Sequence, residues 1–174
     1  MDAKRIARAG VMVALLAVSA QVMVPIGPVP VTLQTLVLAI MIAVLDARTA
    51  LFSVVAYVVL GAIGMPVFAG FMGGLGALMG PTGGFLWGFI LGTAVAGVVK
   101  KACAGHVGAY AECLVAASAL LLVSYACGTA QLMMLMSLDF LGALGIAVIP
   151  FIVPDALKMA IGARIGLTVA RALK

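Results

Sequence analysis

The chain has 174 residues, of which 66% are apolar and 9% charged, with a mean hydropathy of +1.36. A soluble domain of this length needs far more Lys, Glu, Arg and Asp to cover its surface, so the composition excludes one and points to a bilayer as solvent. The net charge of +5 comes from basic residues that punctuate hydrophobic runs instead of clustering in a hydrophilic patch, which argues against nucleic-acid binding and for membrane topology. No polar stretch is long enough for a second domain, so residues 1–174 read as one transmembrane domain. Cys103, Cys113 and Cys127 lack Cys-x-x-Cys spacing and His106 is the single histidine, so no metal site is expected and the cysteines read as small apolar residues.

In chain order, the first apolar run covers about 6–24 and follows Lys4, Arg5 and Arg8. Val18-Ser19-Ala20 resembles a signal-peptide cleavage site, but hydrophobicity continues to Val24 and further spans follow, so a retained first helix is expected. This helix carries small residues at Ala3, Ala7, Gly10 and Ala14, a spacing that lets another helix approach closely. Pro25, Pro28 and Pro30 forbid a helix before Val31 and favour extended chain there. Thr32 and Gln34 then place polar groups near the outer end of the second span, as caps or as ligand donors and acceptors.

A membrane helix needs about 20 apolar residues. The second and third spans, 31–46 and 49–65, are short and separated by Asp46-Ala47-Arg48. Residues 61–84, GAIGMPVFAGFMGGLGALMGPTGG, carry too many glycines for a continuous helix and are too apolar for a solvated loop. Non-helical backbone at a membrane is tolerated only against protein or a water-filled cavity, so a partly inserted flap over a cavity is expected. The segment contains no Lys or Arg and matches neither phosphate-loop glycine pattern, which excludes a nucleotide site. Three more spans follow at 82–99, 109–132 and 142–170, with Asp139, Gly142, Gly145 and Pro150 interrupting the approach to the last.

Six spans place Lys4, Arg5, Arg8, Arg48, Lys100, Lys101, Arg171 and Lys174 on one side, with Arg164 near the same end of the last helix. The stretches 25–30, 66–81 and 133–141 on the other side contain no Lys or Arg. The positive-inside rule then puts both termini in the cytoplasm. Lys158 departs from this sorting. It lies at membrane depth three residues after Asp155, a spacing that puts both on one helix face. Ionisable groups at such depth face a cavity or each other, so the pair reads as a neutralised structural bridge or as a polar ligand site. Pro150 and Pro154 just upstream are expected to bend the helix, as broken helices do beside transporter sites.

PVPVTLQTL (28–36), GAIGMPVF (61–68), GPTGGF (80–85) with Gly88-Phe89, and Pro150-Phe151 followed by Asp155 and Lys158 closely resemble the BioY family. These are biotin-binding S components of energy-coupling-factor (ECF) transporters, and the resemblance runs in order across 1–170. It implies an all-α domain of six membrane helices holding vitamin in an outward-facing cavity, covered by the loops between helices one and two and between three and four. It also implies a transmembrane coupling subunit and two cytoplasmic ATPases as partners, with Ala7, Gly10 and Ala14 meeting the coupling subunit, in the cytoplasmic membrane of a prokaryote. Two departures stand out: PFIVPD (150–155) replaces the family's usual Pro-Phe-[Leu/Ile]-Pro-Gly-Asp, and Leu132 stands where an aromatic is common.

On this resemblance Asp155 and Lys158 provide polar contacts to biotin, the ureido group being the partner of Asp155, with Gln34 and Thr82 as further polar candidates. Phe68, Phe85 and Tyr125 supply apolar walls, and Gly73, Gly74, Gly83 and Gly84 let backbone approach the ligand. No cofactor and no chemistry on the ligand are expected. His106 falls in a cytoplasmic loop, which leaves buried serines without a base and argues against an enzyme. The remaining alternatives are a solo transporter, ion-coupled through Asp155 and Lys158, and an S component for a related small vitamin.

Overall fold

The computed structural model describes residues 2–173; Lys174, one of the basic residues sorted to the inner side, lies outside them. The chain is helical nearly throughout: α1 Ala3–Gln21, α2 Gln34–Val44, α3 Ala47–Ala62, α4 Leu75–Leu78, α5 Gly83–Cys103, α6 Ala109–Met136, α7 Phe140–Ala147 and α8 Ile152–Ala172. Aspartates start three of these helices. Asp2, Asp46 and Asp139 each accept a backbone N–H of the first turn, from Arg5, Thr49 and Gly142, which supplies partners for amides that a helix start leaves bare.

The segments expected as spans fall on the helices α1, α2, α3, α5, α6 and the α7–α8 stretch, with different limits. The first does not run to Val24, because Met23–Val24 leaves the helix and pairs antiparallel with Val31–Thr32, closing a hairpin around the three prolines. The second starts at Gln34 instead of Val31 for the same reason and is only 11 residues long. The fifth is a turn longer than expected, ending where Ser137 takes a left-handed conformation. The sixth is two helices joined by a 3-10 turn over Ile149–Phe151, and Pro154 lies in the first turn of α8, where a missing N–H costs no helical bond. Three described stretches are long and apolar enough to cross a bilayer, Gly83–Cys103, Ala109–Met136 and Phe140–Ala172, while α2 and α3 are shorter apolar helices.

Close helix packing rests on small residues at four-residue spacing. Gly84, Gly88 and Gly92 of α5 lie against Cys127–Gly128, Ser124 and Leu120 of α6 so closely that an added Cβ would overlap backbone atoms. Gly162 and Gly166 of α8 meet Ala39 and Ala43 of α2 in the same way. The core lies where α1, α2, α3, α5 and α6 converge, around Leu16, Leu38, Met41, Val54, Tyr57 and Leu120. The outside is apolar as well: Phe52, Leu91, Val98, Leu122 and Val153 are exposed, the surface of a protein solvated by lipid.

At one end of the bundle Arg8 donates to the Leu173 carbonyl, Arg5 lies 3.9 Å from Asp46, and Lys100 donates to the Ile42 carbonyl at the end of α2. The charges sorted from the sequence therefore gather at one end. The hairpin and the flap, residues 63–82, lie at the other. The flap contains a 3-10 turn at Ala69–Phe71 and the single turn α4, and Gly64 at φ 104 makes the abrupt exit from α3.

Candidate functional site

Beneath the flap lies a cavity of about 60 Å³, walled by the hairpin, the flap and the facing sides of α2, α5, α6 and α8. Its centre is polar and its sides are not. Asp155, in the first turn of α8, is 2% exposed. Its Oδ1 accepts from the Thr35 hydroxyl at 2.8 Å and from Lys158 Nζ at 2.7 Å, and its Oδ2 accepts from the Tyr125 hydroxyl at 2.8 Å. The amide end of α8 adds a favourable partial charge to the carboxylate. Lys158 Nζ also donates to the Thr32 carbonyl at 2.8 Å and to Thr35 Oγ1 at 3.3 Å. Three donors on the carboxylate and three acceptors around the ammonium offset the desolvation of a buried pair. The two readings of the pair join here: it is a bonded ion pair, and it faces the cavity.

A second polar group stands beside it. The buried Gln34 donates through Nε2 to the Tyr57 hydroxyl at 2.8 Å and accepts from the Thr32 hydroxyl at 3.1 Å. Apolar walls come from Phe85 and Phe151, whose ring centroids are 6.4 Å apart, and from Leu86, Phe89 and Phe68. Phe85 lies over Gly128, where a Cβ would overlap the ring; Phe68 lies over Gly61 in the same manner and meets Tyr57 edge-on at 5.5 Å.

Of the residues singled out in the sequence, Asp155, Lys158, Gln34, Thr82, Phe68, Phe85 and Tyr125 all line this cavity. Tyr125 departs from the expectation of an apolar wall, since its hydroxyl is committed to the carboxylate. The four glycines do not line the cavity. Gly83 packs on the Leu78 carbonyl and Gly84 on α6, Gly73 packs within the flap on the Met65 carbonyl, and Gly74 at φ 84 starts α4. They permit close packing of chain on chain instead of chain on ligand. Sequence reasoning missed Thr35, whose signal was its place beside Gln34 in an otherwise apolar run, and Phe151, whose role depends on the 3-10 turn. Ala7, Gly10 and Ala14 form an exposed strip on α1, and among the described residues a Cβ added at Gly10 would meet no other part of the chain within 4 Å.

A helix bundle with an apolar exterior, a charged end and a polar-centred cavity under a flap is the architecture of a membrane-embedded binding protein. The chain belongs to the BioY family, whose sequence model matches residues 1–174. The biotin transporter BioY of Thermotoga maritima is 37% identical to it over 164 residues, 94% of each chain. The biotin transporter BioY2 of Lactococcus lactis is 35% identical over 161 residues, 92% of this chain and 86% of that one. The crystal structure of the S-component for biotin from an ECF-type ABC transporter has the same fold, with a TM-score of 0.88 at 23% identity, covering 97% of this chain and 91% of that chain. The protein is thus a multi-pass membrane protein of a transporter family.

Proposed function

We propose that this protein captures biotin at the outer face of the cytoplasmic membrane of a prokaryote and delivers it to an ATP-driven ECF transporter. Family membership and relatives that are biotin transporters support the ligand. The observation that carries the reading is the buried Asp155–Lys158–Thr35–Tyr125 cluster set in apolar walls. Biotin joins a ureido group, an apolar ring system and a carboxylate, and a mostly apolar pocket with a few convergent polar groups suits it. Capture needs no cofactor and no chemistry on the ligand.

The six apolar helical segments, α1, α2, α3, α5, α6 and α7–α8, cross the bilayer in this reading, with both termini cytoplasmic. The exposed Ala7, Gly10 and Ala14 strip meets a transmembrane coupling subunit, which works with two cytoplasmic ATPases. Titration of the purified chain with biotin tests the ligand: saturable binding that Asp155→Asn weakens supports it, and a heat-stable, folded protein that binds no biotin rejects it. Uptake by vesicles with and without the coupling and ATPase subunits separates delivery to a transporter from transport by this chain alone.

A further inference from the structure

Every wall of the cavity but two belongs to a helix; the exceptions are the hairpin and the flap. Backbone bonds tie the flap to the end of α3, from Gly64 and Gly74 N–H to the Gly61 carbonyl and from Met65 N–H to the Leu60 carbonyl, Phe68 pairs with Met72, and side chains sent from three helices hold it further along. Gln21, the last residue of α1, uses both ends of its amide: Nε2 donates to the Phe68 carbonyl at 3.1 Å, and Oε1 accepts the Phe71 N–H at 2.9 Å. Tyr57 of α3 donates to the Val67 carbonyl at 2.9 Å. Gln131 of α6 donates to the Leu78 carbonyl at 3.0 Å and the Gly80 carbonyl at 2.7 Å.

These grips fall at the two ends of the flap, 67–71 and 78–80, and the first brackets Phe68, a wall of the cavity. Phe71 takes a left-handed backbone at φ 57, a conformation unfavourable for a phenylalanine, and Gln21 holds its N–H there. A site that buries a small molecule commonly encloses about 300 Å³ or more. At about 60 Å³ this cavity is tight for one, so a non-helical wall is the part to move, and the flap is such a wall, held to the bundle largely by side-chain bonds.

We infer that Gln21 and Gln131 are positioning residues that latch the flap over the cavity and set how fast a ligand enters and leaves. Neither lines the cavity, so the latch acts through Phe68 and the 78–82 turn instead of by touching ligand. Tyr57 ties the first latch to the interior, since the hydroxyl it gives to the flap accepts from the cavity residue Gln34. The inference rests on the cavity's being a ligand site, and its test has one readout with ligand and one without.

The full chain in lipid nanodiscs is compared with Gln21→Met and Gln131→Met, which keep side-chain length while removing the bonds. With biotin as probe, each variant releases ligand roughly three- to ten-fold faster, the loss of a bond or two of ordinary strength. Association accelerates as well, so the rates change more than Kd, whereas loss of a ligand contact raises Kd in step with the release rate. Gln21→Glu, which keeps the acceptor for Phe71 and loses the donor, falls between wild type and Gln21→Met. Without ligand, amide exchange in 66–82 rises in both Met variants while α5 and α6 keep their protection. Unchanged flap exchange in both variants overturns the latch, as does a loss of protection spread over all helices. Flap exchange that rises as expected in a protein that binds no biotin rejects the biotin reading and leaves the latch standing.

Discussion

Asp155 and Lys158 form the chemical centre of the molecule, and their energetics differ from those of a surface pair. Both are nearly out of solvent, and each is coordinated by uncharged groups as well as by the other. Removing one partner leaves a buried charge uncompensated, at a cost of about 3 kcal/mol or more, whereas removing both leaves only hydroxyls to re-pair. Asp155→Asn is therefore expected to lower the thermal stability of the ligand-free protein in detergent more than the double change Asp155→Asn with Lys158→Met does. With Lys158→Met alone completing the cycle, additive losses would show that the two charges act independently. Tyr125→Phe removes one donor from the carboxylate and keeps the ring, so it is expected to cost about 1–3 kcal/mol. The Asp-x-x-Lys spacing made the ion pair legible in the sequence. Its coordination by Thr35 and Tyr125, 120 and 30 residues from Asp155, was not, because separations of that size carry no local signal.

Among the elements, glycine has three different jobs that one composition figure merges. On α5 it permits contact with α6, so Gly88→Leu is expected to separate the two helices and cost at least about 1–3 kcal/mol, read as a lowered melting temperature in detergent. On α3, Gly61 is the seat of the Phe68 ring, where a methyl group displaces a cavity wall. On α1, Gly10 faces open space, so Gly10→Leu leaves folding and biotin binding intact; if the strip meets a coupling subunit, uptake by the assembled transporter falls. A drop in biotin binding by Gly10→Leu would place the residue in the fold instead. Glycine density in 61–84 was enough to predict irregular backbone, since each helical glycine forfeits about 1 kcal/mol against alanine. Which glycine serves a turn and which a helix contact depends on the neighbour across the gap, and that neighbour lies far along the chain.

For the molecule as a whole, the charges and the flap occupy opposite ends of the bundle, and in the proposed reading the bilayer separates them. In a cysteine-free background, Met79→Cys in the exposed flap is expected to react with a membrane-impermeant maleimide on intact cells, while Arg48→Cys is expected to react only after the membrane is opened. The reverse pattern would invert the topology and with it the direction of capture. The same end-to-end polarity accompanies a short α2: the hairpin occupies the flap end before the helix starts, and Lys100 closes its charged end.

The amino-acid sequence by itself determined the solvent, the gathering of the charges at one end, the irregular flap and the ion pair. Each of these is a matter of residue type summed over a short stretch: transfer energies, the positive-inside bias, glycine's backbone freedom and helical spacing. The tertiary structure alone decided that Val31–Thr32 pairs with Met23–Val24, that the last span breaks at Ile149–Phe151, and that Tyr125 serves the carboxylate. It also decided that two glutamines, unremarkable in an apolar chain, reach the flap from opposite sides. These depend on groups brought within about 3 Å from distant parts of the chain, and hydrogen bonds of that range are specified by packing, not by local pattern.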